Sequence, residues 1–344
     1  TGNQGIGESK FFARQFSALA DLLTIFILYL IVSNLYGRRI GLFAATFSAF
    51  TVMQIQQSHF FTTDLFTNLF MFLAIYFAVA IVDDRENGNQ GLEIGDQRLE
   101  ELANPEKPIS NYQSPITNLQ LSISSFIRNP LFWLSIGFGI ALGMAMASKI
   151  NAAALAIVLP GAFIIRYFTQ EKKETVTPYG DDVSGAVING RSLKTDYWSL
   201  ITLFLIAGGL ATIISFRVFQ PYAFSGVGLN PQWIANISEV RGQASGDADL
   251  PWNLQWARRN HLYSFVNLTV WGLGLPLGIL AWAGFLLMGW RILRGEYKHI
   301  LLWGWTAFYF LWQSLQFNPT MRYQLPIYPL LAMMAAWVIF ELPK

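Results

Sequence analysis

The sequence has no cysteine, three histidines and few charges: Asp, Glu, Lys and Arg together make 13% of its 344 residues, against roughly 25% in an ordinary soluble domain. Without cysteine there is no disulfide, no thiolate nucleophile and no Cys-ligated metal. A formal net charge of +2 is too small a surplus to carry nucleic-acid binding by phosphate neutralisation. No H-E-x-x-H, Walker A or G-x-S-x-G pattern is present, which removes the commonest zinc-protease, P-loop and hydrolase signatures. No repeat of solenoid length appears either. What remains is apolar. Hydrophobic residues make 53% of the chain and aromatic residues 15%, a composition that suits membrane spans with aromatic belts at their ends.

A transmembrane helix needs about 20 mostly apolar residues. Nine runs approach that length, at 16–35, 40–55, 65–81, 131–147, 152–168, 198–216, 265–290, 300–315 and 327–340. The expected fold is therefore all-α, one polytopic membrane domain over 1–344 with about nine transmembrane helices. The stretches 83–130 and 169–197 read as cytoplasmic loops, the first with a short helix near 97–102, and 217–262 as an extracytoplasmic loop. Lys and Arg set the orientation. With the basic turn at Arg38 and Arg39 placed in the cytoplasm, alternation puts 15 Lys and Arg inside and 8 outside. The chain opens TGNQGIGES, without Met or a charged-then-apolar leader. An outside start implies at least one further helix before Thr1 if the parent protein begins inside.

The polar residues on the outer side are the informative ones. Between two apolar runs lies Ser58-His-Phe-Phe-Thr-Thr-Asp64. Thr62 or Thr63 in the N-cap position, with Asp64 in the first turn of the following helix, would explain the acid. His59 is left unexplained by that reading, so both side chains are candidates for a polar substrate site. Lys149 sits in the short turn between the fourth and fifth runs. Arg217 begins the long outer loop. Arg322 and Tyr323 precede Pro326 and Pro329, which break or kink the entry to the last helix. Cations retained on the side that topology disfavours point to an anionic ligand; the alternative is that each snorkels to lipid phosphate. Asp247 and Asp249 form a lone D-x-D, read as solvated surface. His261 and His299, alone near helix ends, read as interface residues.

Three stretches carry a family resemblance: NLYGRRIGLFAATFSAF, SHFFTTDLFTNLFMFLAIYF and MRYQLPIYPLLAMMAAW, with ASKIN around Lys149 as a fourth, shorter one. Together they resemble the lipid-linked GT-C glycosyltransferases, in the bacterial family-39 branch similar to protein O-mannosyltransferases. That family's outer segment reads S-R-x-x-x-x-D, and His59 stands here in place of its Arg. The resemblance implies a phospholipid carrier-dependent enzyme of the cell membrane. It would move a mannose-like hexose from a polyprenyl phosphate to an acceptor hydroxyl of a protein, lipid or glycan on the extracytoplasmic side. His59, Asp64, Lys149, Arg217, Arg322 and Tyr323 are the substrate-binding candidates it implies. Its catalytic carboxylate is expected in the first outer loop, upstream of Thr1. No cofactor follows with certainty, and a divalent cation stays open. The competing reading is a transporter or flippase for an anionic lipid or solute, which could use the same outer cations; it should show an internal repeat and polar, broken mid-membrane helices.

Overall fold

The computed structural model describes residues 2–83, 126–174, 192–247 and 250–342. Most of both expected cytoplasmic loops, the short helix near 97–102, and Asp249 lie outside these residues. The described chain is almost wholly helical. The first helix, α1, runs Gly2–Tyr36. Gly37 then turns the chain with φ 95°, a value only glycine adopts without steric cost. The second expected span is two pieces, α2 (Arg38–Ala49) and α3 (Val52–Ser58), broken at Phe50 and Thr51. After a short link come α4 (Thr63–Asp83) and α5 (Pro130–Ser148). Helix α5 begins as its sequence dictates. The side chain of Asn129 accepts from the Leu131 amide at 2.9 Å, and Pro130 occupies the first turn, where its missing N–H costs nothing.

A 3-10 turn, Ile150–Ile157, leads into α6 (Val158–Glu174), and α7 spans Ser192–Phe219. The expected outer loop is organised. It holds a two-residue hairpin pairing Phe224–Ser225 with Gly228–Leu229, the helix α8 (Pro231–Ser245) and a 3-10 turn, Pro251–Gln255. Then follow α9 (Leu262–Asn267), a π-turn (Leu268–Gly272) and α10 (Leu275–Leu293). The last elements are α11 (Ile300–Ser314), a 3-10 turn (Met321–Ile327) and α12 (Tyr328–Glu341). Pro326 lies in that turn and Pro329 in the first turn of α12, so the two prolines delay the helix start without bending the helix itself. Among the described residues seven helices are long and apolar enough to cross a membrane. The other two expected spans are helical but shorter: α2 with α3 is interrupted, and α11 has 15 residues. The protein is a multi-pass membrane protein.

Packing follows a chain of neighbours: α7 on α5, α5 on α4, α4 on α1, α1 on α2, α2 on α12 and α12 on α10. The α5–α7 contact depends on small residues. A side chain at Gly139 would strike the backbone of Gly208, and one at Gly143 the carbonyl of Thr212. With these glycines the backbones approach closely, the usual device where lipid supplies no hydrophobic drive between helices. Ser215 Oγ adds a hydrogen bond to the carbonyl of Ile140 at 2.9 Å. Helix α12 is the core element, buried without interruption from Tyr328 to Val338.

The alternation of helices gives the bundle two polar ends. At the end carrying the Arg38–Arg39 turn, Tyr36 Oη lies 2.9 Å from His299 Nδ1, and His299 Nε2 lies 3.4 Å from Glu296 Oε2. Arg291 pairs with Glu341 at 2.7 Å and stacks over Trp337. His299 is thus no interface residue. It is fully buried, stacked on Tyr36 and edge-on to Trp337. The sequence showed a histidine in a short basic turn, and only the fold shows that this turn closes over the ends of α1 and α12.

Candidate functional site

The other end of the bundle gathers four of the six substrate-binding candidates. Asp64 stands in the first turn of α4 and is buried. Lys149 follows the last residue of α5 with extended backbone, φ −158° and ψ 117°. That kink throws its side chain across to α4, where Nζ meets Asp64 Oδ1 at 2.6 Å. The same ammonium lies 4.2 Å from the ring centroid of Tyr323, in the 3-10 turn before α12. The Arg322 guanidinium carbon lies 5.4 Å from that centroid. One aromatic ring therefore serves two cations, an arrangement stabilised by the ring quadrupole. Lys149 keeps 27% of its side-chain surface and Arg322 is exposed, so both can be reached from outside the bundle.

Asp64 balances one of the two positive charges, and the cluster keeps one in excess. The ammonium offers a compact point charge and the guanidinium a planar fork; both are phosphate-binding chemistries. Three neighbours escaped the sequence reading. Tyr309 and Gln313 of α11 are buried, and the Tyr309 phenol interacts with Gln313 and with the charge of Asp64. Gln324 is buried and donates to Ser314 Oγ at 3.2 Å. A signal did exist: in ILLWGWTAFYFLWQS the polar groups Thr306, Tyr309 and Gln313 fall at i, i+3 and i+7, one face of a helix.

His59 and Arg217 are placed differently. His59 is exposed, and its Nδ1 lies 2.7 Å from the carbonyl of Ile55, one turn back in its own segment. Arg217 ends α7, which runs parallel to α5 and so brings it to the same end as Lys149. There it donates to the Gly226 carbonyl at 2.7 Å and covers the Phe224 ring at 4.9 Å. It fastens the hairpin, and the contacts seen for it do not reach Asp64 or Lys149. The expected threonine cap is also absent. Thr62 Oγ1 is buried without a hydrogen-bond partner, and Thr63 bonds as an acceptor of Thr67 Oγ1 through its carbonyl. Asp64 is held by Lys149 instead. Among the described residues no three His, Asp or Glu side chains converge.

Known proteins resemble this chain in sequence over one part and in fold over nearly all of it. Residues 4–92 match the family described as dolichyl-phosphate-mannose-protein mannosyltransferase. Among solved structures, ArnT from Cupriavidus metallidurans bound to undecaprenyl phosphate superposes with a TM-score of 0.50 at 16% identity, over 95% of this chain and 46% of that one. The Archaeoglobus fulgidus oligosaccharyltransferase tethered with an acceptor peptide gives a TM-score of 0.47 at 14% identity, over 96% of this chain and 38% of that one. No curated protein sequence matches. The chain spans about half the length of the ArnT structure, and that likeness shows the fold: the polytopic GT-C membrane fold.

Proposed function

We propose that this chain is the membrane module of a glycosyltransferase that takes its sugar from a polyprenyl phosphate. The observation that carries this reading is the convergence of Lys149, Arg322 and Tyr323 around Asp64 at one end of the bundle. The family match at 4–92 and the GT-C fold support it. In the reaction an acceptor hydroxyl attacks the anomeric carbon and its proton passes to a carboxylate base. The bond from that carbon to the phosphate oxygen breaks, and the electron pair leaves with the lipid phosphate. Lys149 and Arg322 stand where that developing charge is stabilised, and a half-buried site makes such contacts stronger than they would be in water. The donor is a mannose-like hexose, the acceptor a hydroxyl of a protein, lipid or glycan, and the site faces the extracytoplasmic side of the cell membrane.

The test uses the natural protein at full length in lipid nanodiscs, with undecaprenyl phosphate as the probe. Lys149→Met and Arg322→Gln should each weaken binding about tenfold or more, since a charge-assisted hydrogen bond contributes about 1.5–3 kcal/mol and 1.4 kcal/mol is tenfold. Lys149→Met also leaves Asp64 without its partner, so the double variant Asp64→Asn/Lys149→Met is the control. It should recover the thermal stability lost in Lys149→Met without recovering binding. Unchanged affinity in both single variants would remove these residues from a phosphate site.

A further inference from the structure

One buried acid takes no part in the site described so far. Asp21 stands within the first membrane span and is buried. It lies about 22 Å along α1 from Tyr36, at a helical rise of about 1.5 Å per residue, and so toward the site end of the bundle. An ionisable side chain inside a span is costly and is retained for a reason. Its partner is on α3. Gln54 Nε2 donates to Asp21 Oδ1 at 3.0 Å, and Ser48 Oγ of α2 donates to Gln54 Oε1 at 2.9 Å. All three side chains are buried, so water does not compete for these bonds. They join α1, α2 and α3 across the break at Phe50 and Thr51, where Thr51 is extended with φ −66° and ψ 117°.

Helix α3 needs this tie more than a longer helix would. It has seven residues, too few to be stable by itself, and the break interrupts the helical ladder between it and α2. Val52 and Ile55 are exposed on its outer face, so the inward-facing Met53, Gln54 and Gln57 fix where it lies. That position bears on the cation cluster from two sides. Along the chain, α3 ends at Ser58, a short link before Asp64 in the first turn of α4. In space, it packs against the 3-10 turn Met321–Ile327, which carries Arg322 and Tyr323. On the basis of the proposed phosphate site, we infer that Asp21 is a positioning residue for it. Through Gln54 it holds α3 as the spacer between the Asp64–Lys149 pair and the turn that carries Arg322. The role uses one carboxyl oxygen as an acceptor and needs no charge. The competing reading is a polar contact that only strengthens the packing of one span on another.

Two variants of the natural protein at full length, in lipid nanodiscs, separate these readings. Asp21→Asn keeps an oxygen facing Gln54 and removes the charge. Asp21→Leu/Gln54→Leu removes the tie from both ends and leaves neither a buried amide nor a buried carboxyl alone, a change that costs little stability. Spacing is read as the distance distribution between nitroxides on Gln56→Cys of α3 and Leu315→Cys at the end of α11, both exposed positions. Binding is read with undecaprenyl phosphate. Asp21→Asn should keep the wild-type distribution and affinity. The double variant should keep the wild-type thermal midpoint, broaden the distribution and lose about tenfold in affinity, the size of coupling found within one contact network. An unchanged distribution in the double variant overturns the inference. So does a changed distribution with wild-type affinity, since α3 then positions nothing that binds. A double variant that loses affinity only together with its thermal midpoint makes the tie a packing contact and overturns the inference as well. Loss of affinity in Asp21→Asn overturns it in favour of the charge itself. If the wild type does not bind undecaprenyl phosphate, the phosphate reading has failed first and this one falls with it.

Discussion

At the scale of single residues, the two ends of the bundle use their polar groups in opposite ways. The site end leaves charged groups within reach of the outside; the other end buries a histidine among aromatic rings and ion pairs. His299 illustrates the second. Burial drives its pKa from 6.5 down to about 4, helped by the charge of Lys298 and opposed by Glu296. Neutral His299 with its proton on Nε2 accepts from Tyr36 at Nδ1 and faces Glu296 with the other nitrogen, a tautomer set by its neighbours. The unfolded chain protonates this histidine near pH 6.5 and the folded chain resists until about 4, so between those values the unfolded state binds more protons. Stability therefore holds above pH 6.5 and falls as pH drops from 6.5 to 4, by up to ~3 kcal/mol for this group. Thermal unfolding in nanodiscs across that range should show the slope, and His299→Gln should flatten it. A variant with the wild-type slope would assign the acid sensitivity to other groups.

At the scale of elements, helix boundaries were legible where punctuation is local. Gly37, Asn129 and Pro130 mark starts and turns by their own backbone chemistry. The break between α2 and α3 was less so, because FSAFTVMQ is mostly apolar and no glycine or proline marks Phe50. The cation cluster was half legible. Asp64, Lys149, Arg322 and Tyr323 stood out as polar groups at helix ends, but so did His59 and Arg217, and no local pattern separates a side chain aimed inward from one turned back on its own segment. Gln324 was invisible, since a neutral amide in an apolar run leaves no charge to notice. Small residues are the other quiet signal. Gly139→Leu should destabilise the α5–α7 contact by about 1–3 kcal/mol or more, since overpacking forces the backbones apart. Gly209→Leu, on the same α7 but with open space around it, should be nearly neutral. Denaturation of the two variants side by side in detergent checks this, and equal midpoints would mean that the close approach does not matter.

At the scale of the whole molecule, hydropathy announced a membrane bundle but not its inside. Helices α10 and α12 contribute spans of the same mean hydropathy, yet 22% of one and 83% of the other is buried in protein. Lipid and protein interior are equally apolar, so the distinction rests on shape and neighbours. The orientation also came from charge counting alone, and the missing cysteines make it simple to check. Because the 344 residues contain none, a single cysteine can be introduced at exposed Arg39 or at exposed Ser225 of the hairpin. In intact cells a membrane-impermeant maleimide should label Ser225→Cys and spare Arg39→Cys; the reverse pattern would turn the site to the cytoplasm.

Lys149 has a consequence for turnover that its geometry alone makes clear. An enzyme that grips a phosphate with a half-buried ammonium risks keeping its product, because departure would strand a charge away from water. Here the carboxylate of Asp64 already sits 2.6 Å from that ammonium. In the proposed reaction it would act as a resident competitor, taking back the cation as the spent lipid leaves. A site built in this way would give up some affinity for its ligand and gain an exit.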